Sequence, residues 1–525
     1  MENRASKKRK QPAALVKKEK SSSDRFSDLP YEILEHIFSF LPIKSIAQTT
    51  VLSKHWNLLS LWRSHPHLDF SPLSNPEPRN PRRLSHKHQC KATKFVPIVL
   101  SRRQQDSNIT TFRLFGHVSY SRLNKCIQHV MNHRIKQLEL DVYLDCSFTL
   151  PPCLFNCNTL RVLTLNHQKT APVQIYSTFS TCLELSYKHF NYLTSAGLSS
   201  VHTLSLTNVH FNFFEHGSDL FSGDKFPLLR NLCLKNCRGM IDLKINCPGL
   251  EILKLEVLRL KDLGIFGVGL LELQVKKCYL YADCSAKILA PSLHCLYWEN
   301  KANVEFTAES FRDINTGFLF FRIKTPDAAT LNRASKVLSA LCFARSLSVG
   351  SQVLEILSSI YSSEGGLRYS FNNLRTLELR TYLTKDEVTG IICFLSSSPI
   401  LHTVTMGVSC SMTGNETLDD DRYWSSQSQN LKSIERHLKV ARIDVQGTKM
   451  SKSVVSLVKF LLRYETALQE MTLTLESDPA DSPVVQRTIR SEIMKFALPS
   501  SNVIISFLPT RPEPLNSRGT LLELV

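Results

Sequence analysis

Three groups of side chains have types and spacings that could hold a metal: His86, His88 and Cys90 crowd together, Cys153 and Cys157 lie four apart, and His129 and His133 stand at helical i, i+4 spacing. None completes a ligand set. His129 to His133 lacks the intervening Glu of a zinc hydrolase, and Cys153 and Cys157 have no second pair at zinc-finger spacing from them. Surface histidines and buried thiols explain these residues, so no metal and no cofactor is expected. No GxSxG elbow and no GxxxxGK phosphate loop occurs, and Gly264, Gly267 and Gly269 are misspaced for a dinucleotide turn. Without a base, nucleophile or cofactor cradle among sequence neighbours, the chain is not expected to be an enzyme.

A second chemistry is charge. The 525 residues carry 64 Lys+Arg against 46 Asp+Glu, a net +18. Residues 1–25 hold nine Lys/Arg against three acids, and residues 79–103 hold eight with no acid. Most of the excess is therefore local. The first cluster, Lys7, Lys8, Arg9 and Lys10 followed by Lys17, Lys18 and Lys20, has the two-part spacing of a nuclear-import signal, with a solubilising tail as the alternative. The expected location is the nucleus, with the cytoplasm also open. The second cluster, Arg79, Arg82, Arg83, Lys87, Lys91, Lys94, Arg102 and Arg103, would give salt-dependent affinity for nucleic acid. No recognition helix or aromatic stacking motif accompanies it, so a solvated loop or an acidic-partner surface is the preferred reading.

Fifteen cysteines with no CxxC pair fit reduced, buried thiols. No apolar run reaches the ~20 residues of a membrane span, and the first twenty residues lack the apolar block of a secretory signal. A soluble intracellular protein is expected, with a core large enough for more than one domain.

The elements that must position any site emerge from hydrophobic spacing. In residues 24–70, Ile33, Leu34, Ile37, Phe38 and Leu41 recur along one helical stripe, with Pro30 in its first turn and Pro42 ending it. A second short helix is expected around Ile46 and Ala47. A third should begin near Ser53 and carry Trp56, Leu59 and Trp62 inward. Three short helices make a very small core, which calls for a partner or an attached domain.

Residues 71–94, with four prolines between Ser71 and Arg83, read as a linker or loop. Beyond them a template repeats: apolar, two residues, apolar, one residue, apolar. It appears nine times, from Ile135/Leu138/Leu140 to Leu401/Val404/Met406, with steps of 20 to 23 residues where it is clearest. Degenerate copies are expected near Leu183 and Leu185, near Phe320 and near Leu347. This period and template are those of the leucine-rich repeat, whose units cannot bury their apolar faces alone and must stack into a solenoid. Asn166, Asn208, Asn236, Cys237 and Cys278 fall at the turn after a strand, where a structural role outweighs a catalytic one.

The run from Asp24 to Phe70, with Leu29-Pro30, Glu32-Ile33-Leu34, Ile37 to Pro42, Val51-Leu52-Ser53-Lys54, Trp56 and Leu68-Asp69-Phe70, resembles the F-box of plant F-box proteins with leucine-rich repeats. Lys94 to Leu140 also looks like the start of the repeats in that group. Leu431 to Leu475, with Leu438, Ile443, Gly447, Leu457 to Leu462, Leu468, Met471 and Leu473, is similar to the FBD domain that closes many such chains. Without the resemblance, the same residues read as strand, glycine turn, amphipathic helix and strand, a solenoid cap.

The expected fold is thus α/β: a disordered basic tail at 1–23, a three-helix F-box module at 24–70, the linker, a leucine-rich-repeat solenoid at 95–430, an FBD-like cap at 431–505 and a tail at 506–525. The resemblance implies the substrate-recognition subunit of an SCF-type ubiquitin ligase, docked on a Skp-family adaptor and through it on cullin and a RING protein. The F-box would bind the adaptor, and the concave strand face or loop rim between about 135 and 410 would bind an unidentified target protein. By motif correspondence the adaptor-binding candidates are Leu29, Pro30, Ile33, Leu34, Ile37, Leu41, Val51, Leu52, Lys54 and Trp56. For each apolar one, burial within the module is the competing role. The alternative function is a nuclear scaffold or nucleic-acid-associated protein outside ubiquitination.

Overall fold

The computed structural model describes residues 29–49, 51, 61–71, 91–104, 106–144, 148–167, 183–186, 198–212, 220–281, 286–302, 304–306, 311–322, 327–364, 367–409, 424, 434–446, 452–462, 467–475, 491, 493–494 and 504–509. The basic tail, the proline-rich segment from 72 to 90, and the start of the third helix lie outside them.

Each copy of the template becomes one strand. Its last two apolar positions are two residues apart, so both point to the same side of a pleated strand. Among the described residues, these nine strands and seven others form a single sixteen-stranded parallel sheet. In chain order they are β1 (His67–Asp69), β2 (Thr111–Val118), β3 (Gln137–Leu144), β4 (Val162–His167), β5 (Thr203–Thr207), β6 (Asn231–Lys235), β7 (Ile252–Glu256), β8 (Glu272–Lys276), β9 (Cys295–Asn300), β10 (Thr316–Phe321), β11 (Ser346–Val349), β12 (Thr376–Thr381), β13 (Thr403–Ser409), β14 (Val440–Gln446), β15 (Glu470–Leu475) and β16 (Ile504–Pro509). Spatial order follows chain order throughout, as stacking of successive coils requires. The register never slips: Leu68 lies opposite Phe112, Leu163 opposite Leu204, Leu232 opposite Leu253, and Met471 opposite Ile505.

The irregular copies resolve differently. Strands do form at Phe320 and Leu347, and Gly317 of β10 occupies the core row where neighbouring strands carry leucine. Its space is taken by Leu347 and Leu341, whose methyls would lie 2.9 and 3.4 Å from a Cβ placed there. The copy expected at Leu183 and Leu185 is not a repeat of this sheet. Leu183–Ser186 is a strand, but it pairs with Phe148–Thr149 and Val209–Asn212 in a separate three-stranded sheet, while β4 pairs directly with β5. Period-two alternation specifies a strand without specifying which sheet takes it.

The layer behind the sheet changes along the stack. Near the start it is helical: α4 (Tyr120–Met131) buries Leu123, Cys126, Ile127 and Val130, one stripe at i, i+3, i+4 and i+7. It follows α1 (Tyr31–Ser39), α2 (Ile43–Thr49) and α3 (Lys91–Ser101), the last beginning inside the segment read as linker. Behind β6 to β9 the layer is a second parallel sheet of five strands, including Asp242–Asn246, Asp262–Phe266 and Ala286–Leu289. Further on, helices return as α5 (Ala328–Ala340), α6 (Ser351–Glu364), α7 (Lys385–Ser396) and α8 (Lys452–Leu462).

The turns after the strands explain the asparagines and cysteines. Asn208, Asn236, Val257 and Lys277 each take φ between 50° and 57°, one step beyond β5, β6, β7 and β8. Their amides extend the ladder, with Asn208 donating to Lys235 O at 2.9 Å and Val257 to Lys276 O at 2.9 Å. Asn208 Nδ2 donates to His167 O at 2.7 Å, and the Cys237 thiol donates to Leu206 O at 3.3 Å. Burial pushes the Cys237 and Cys247 thiols up to about 12, so they behave as small apolar groups.

The segment from Leu438 to Leu475 is strand, helix and strand, as its pattern predicts, and it continues the sheet in register, with Val404 opposite Ala441 and Ile443 opposite Leu473. Leu457, Val458, Phe460 and Leu461 of α8 are buried, and the Trp424 ring lies 4.8 Å from that of Phe460. Gly447 lies outside the described residues.

Candidate functional site

Pro30 precedes α1, and its carbonyl accepts the amides of Ile33 and Leu34, both at 3.1 Å. The helix starts there because proline needs no donor partner and pre-sets the extended approach. Leu34 and Phe38, one turn apart, meet Ile46 of α2 in a small core, with Leu29 and Trp62 packed against it. The apolar stripe is wider than this core. Tyr31, Ile33, Phe40, Leu41 and Val51 remain exposed, Phe40 at 76% and Val51 at 85%. Isolated exposed apolar residues are ordinary, but five among the described residues of one small module are a concentration that a partner could cover.

The sequence candidates therefore separate by position. Pro30, Ile33, Leu41 and Val51 are exposed, Leu29 and Ile37 are half-buried, and Leu34 is buried in the module itself. Leu52, Lys54 and Trp56 lie outside the described residues, as do the import candidates from Lys7 to Lys20. Sequence reasoning missed Phe40, whose ring packs edge-on to His36 at 5.1 Å. Its place two residues beyond the buried Phe38 was the available signal, since i and i+2 fall on different faces of a helix.

The module is not free of the repeats. Ile43 of α2 belongs to the main core together with Leu68 and Phe70, and Trp62 packs against both that core and the small one. Arg103, grouped by sequence with the solvated basic cluster, is instead 8% exposed, and its guanidinium donates to His65 O at 2.8 Å and Asn108 O at 3.2 Å. That correction has a physical cause: a planar fork can tie two carbonyls in a chain crossing that has no strand partner. Arg102 beside it is exposed.

Neither nominated metal pair forms a cluster with a third ligand among the described residues. His133 Nδ1 donates to Ser107 O at 2.9 Å, and the Cys157 thiol lies 3.4 Å from the Thr159 hydroxyl. His86, His88 and Cys90 lie outside the described residues. No described helix is long and apolar enough to cross a membrane.

The second candidate surface is the open face of the large sheet, formed by the residues between the core positions. Ion pairs lace its strands: Arg113 bridges Asp69 and Glu139 at 3.5 and 2.9 Å, Lys235 pairs with Glu256 at 2.9 Å, and Lys254 with Glu272 at 3.2 Å. At β9 and β10 a cluster of rings stands beside these pairs. Tyr297 stacks on Phe318 with centroids 5.5 Å apart and lies 5.7 Å from Phe320. Lys276 Nζ lies 4.2 Å from the Tyr297 centroid, and the Arg380 guanidinium 4.8 Å from that of Phe320. Burial pushes the Tyr297 phenol up to about 12, so it stays protonated, and burial also lowers the Lys276 ammonium.

Comparison with known proteins gives the family. The F-box domain model matches residues 26–66. A putative F-box/FBD/LRR-repeat protein of Arabidopsis thaliana is 30% identical over 503 residues, covering 92% of this chain and 95% of its own. This chain belongs to the F-box/FBD/LRR-repeat proteins. A putative F-box/LRR-repeat protein of the same plant is 24% identical, covering 73% of this chain and 72% of its own. Among solved structures, the TLR13–ssRNA13 complex aligns over 79% of this chain and 57% of that one at 14% identity and a TM-score of 0.36, a likeness that says nothing about what either binds. Within the family frame, the apolar helical module is the F-box, and the sixteen-stranded sheet carries the leucine-rich repeats.

Proposed function

We propose that this F-box/LRR protein is the substrate-recognition subunit of an SCF-type ubiquitin ligase. The observation that carries the reading is the set of apolar side chains Tyr31, Ile33, Phe40, Leu41 and Val51 that stand exposed on the F-box among the described residues. A Skp-family adaptor would cover it and supply the burial that a three-helix module lacks. The adaptor links the chain to cullin and RING subunits. The open sheet face holds the target, so the protein contributes proximity and the bond-making belongs to its partners. The basic stretch from Lys7 to Lys20 directs the chain to the nucleus.

Capture of a Skp-family adaptor by the full chain tests the central claim. Ile33→Asp with Phe40→Ser, both at exposed positions, is expected to cut capture at least tenfold while leaving the melting temperature unchanged. Failure of the unaltered chain to capture any adaptor would overturn the reading. For the nuclear assignment, a fluorescent fusion should redistribute to the cytoplasm when Lys7, Lys8, Arg9 and Lys10 are replaced by alanine.

A further inference from the structure

Among the described residues, charge pairs cross the open face from β1 to β3 and from β6 to the end of β10, and a cluster of rings stands beside the second group at β9 and β10. Lys235, Lys254, Lys277 and Arg322 each have a carboxylate within ion-pair distance, Arg322 reaching Glu299 at 2.6 Å. Lys276 and Arg380 have none among the described residues. They lie instead over Tyr297 and Phe320, at the two ends of the ring cluster, within about 15 Å of each other. Beside the rings the face is lowered. Ser348, opposite Phe318 in the ladder, is 4% exposed, and its hydroxyl has no hydrogen-bond partner. Gly350 follows it, where a Cβ would meet the Phe320 ring at 2.9 Å, and Gly407 stands opposite Arg380.

A half-buried aromatic cluster flanked by two cations that have no ion-pair partner among the described residues has the ingredients of a binding hot spot. We infer that Tyr297, Phe318 and Phe320, bracketed by Lys276 and Arg380, receive an extended acidic peptide segment whose central apolar side chain packs on the rings and whose flanking carboxylates meet the two cations. An extended segment advances about 3.3 Å per residue, so carboxylates four or five residues apart span the two cations. A single-stranded nucleic acid would also stack on rings, but it needs cations tracking its phosphates. Here the cations over the rings among the described residues are Lys276 and Arg380, one at each end, two charges rather than a track. The inference rests on the reading that the open sheet face selects the target.

The test uses the full chain, immobilised and presented with a displayed library of random nonapeptides. Peptides with an aromatic or large aliphatic residue between two acids should be enriched. The best of them should lose at least tenfold in affinity to Arg380→Glu or Lys276→Glu, both changes at solvent-reaching side chains, and at least tenfold to Phe318→Ser. Enrichment of peptides without acids, no enrichment, or binding indifferent to Arg380→Glu would overturn the inference. So would tighter binding of a thymidine oligonucleotide than of any selected peptide at 150 mM salt. Adaptor capture by the same preparation reports separately on the ligase reading, so the two fail independently.

Discussion

His65 is 4% exposed at the crossing between the F-box and the first strand, and burial, with the His67 ring and the Arg103 guanidinium beside it, lowers its pKa to about 4. The unfolded chain takes up this proton near pH 6.5, whereas the folded one refuses it until about pH 4. Stability is therefore complete at neutral pH and lost as pH falls through that window, by up to about 3 kcal/mol. Burial lowers His133 as well and adds in the same direction. His65→Gln should flatten the fall in melting temperature between pH 7 and pH 4.5. Glu387 is a second buried ionisable group at 0% exposure, but it is fully satisfied. Its carboxylate accepts from the Ser351 hydroxyl, Thr381 Oγ1 at 3.0 Å and the amides of Tyr382 and Thr384 at 2.9 and 3.0 Å. Glu387→Ala strands these donors and is expected to cost about 3 kcal/mol in urea unfolding, since each unsatisfied buried group costs about 1–3 kcal/mol. The Thr-x-x-Glu capping box from Thr384 to Glu387 was present in the sequence as a local pattern. Its reach to Ser351, 36 residues earlier, was not, because it depends on which helix lies alongside.

Elements were legible to the extent that their signal is local. The alternation in β3 to β9 and the stripe in α8 fix strand and helix by period alone. The backing layer was not legible: Leu243 and Ile245 show the same alternation as the front strands, and only stacking decides that they form a second sheet. Of the F-box, helix positions were readable, but the outward turn of Ile33 and inward turn of Leu34 were not, because both lie within one apolar stripe. Packing between α6 and α7 rests on Gly390, whose bare backbone lets Leu354 O approach to 2.1 Å of where a Cβ would stand. Two helix backbones cannot part locally without moving the strands they follow. Gly390→Ala should therefore destabilise by about 2 kcal/mol or more, with accelerated amide exchange in both helices and none in α4.

At the scale of the whole chain, the sheet of described strands runs from β1, just after the residues matched by the F-box model, to β16, beyond the FBD resemblance, so one sheet carries segments of different family resemblance. Trp62 joins the two cores, and Trp62→Ala should speed exchange in α1 and α2 while leaving that of β6 to β9 unchanged, because repeats feel only their neighbours. Ile43 seats α2 in the same core as Leu68 and Phe70, so the small module and the first coil are held by shared packing. Under the proposed role, a client gripped near Phe318 is then carried at one bearing and one reach from the conjugating enzyme. Which of its lysines receive ubiquitin becomes a matter of surveying, set by where they project from the gripped segment, and moving the grip by a few residues should change the modified sites without changing affinity.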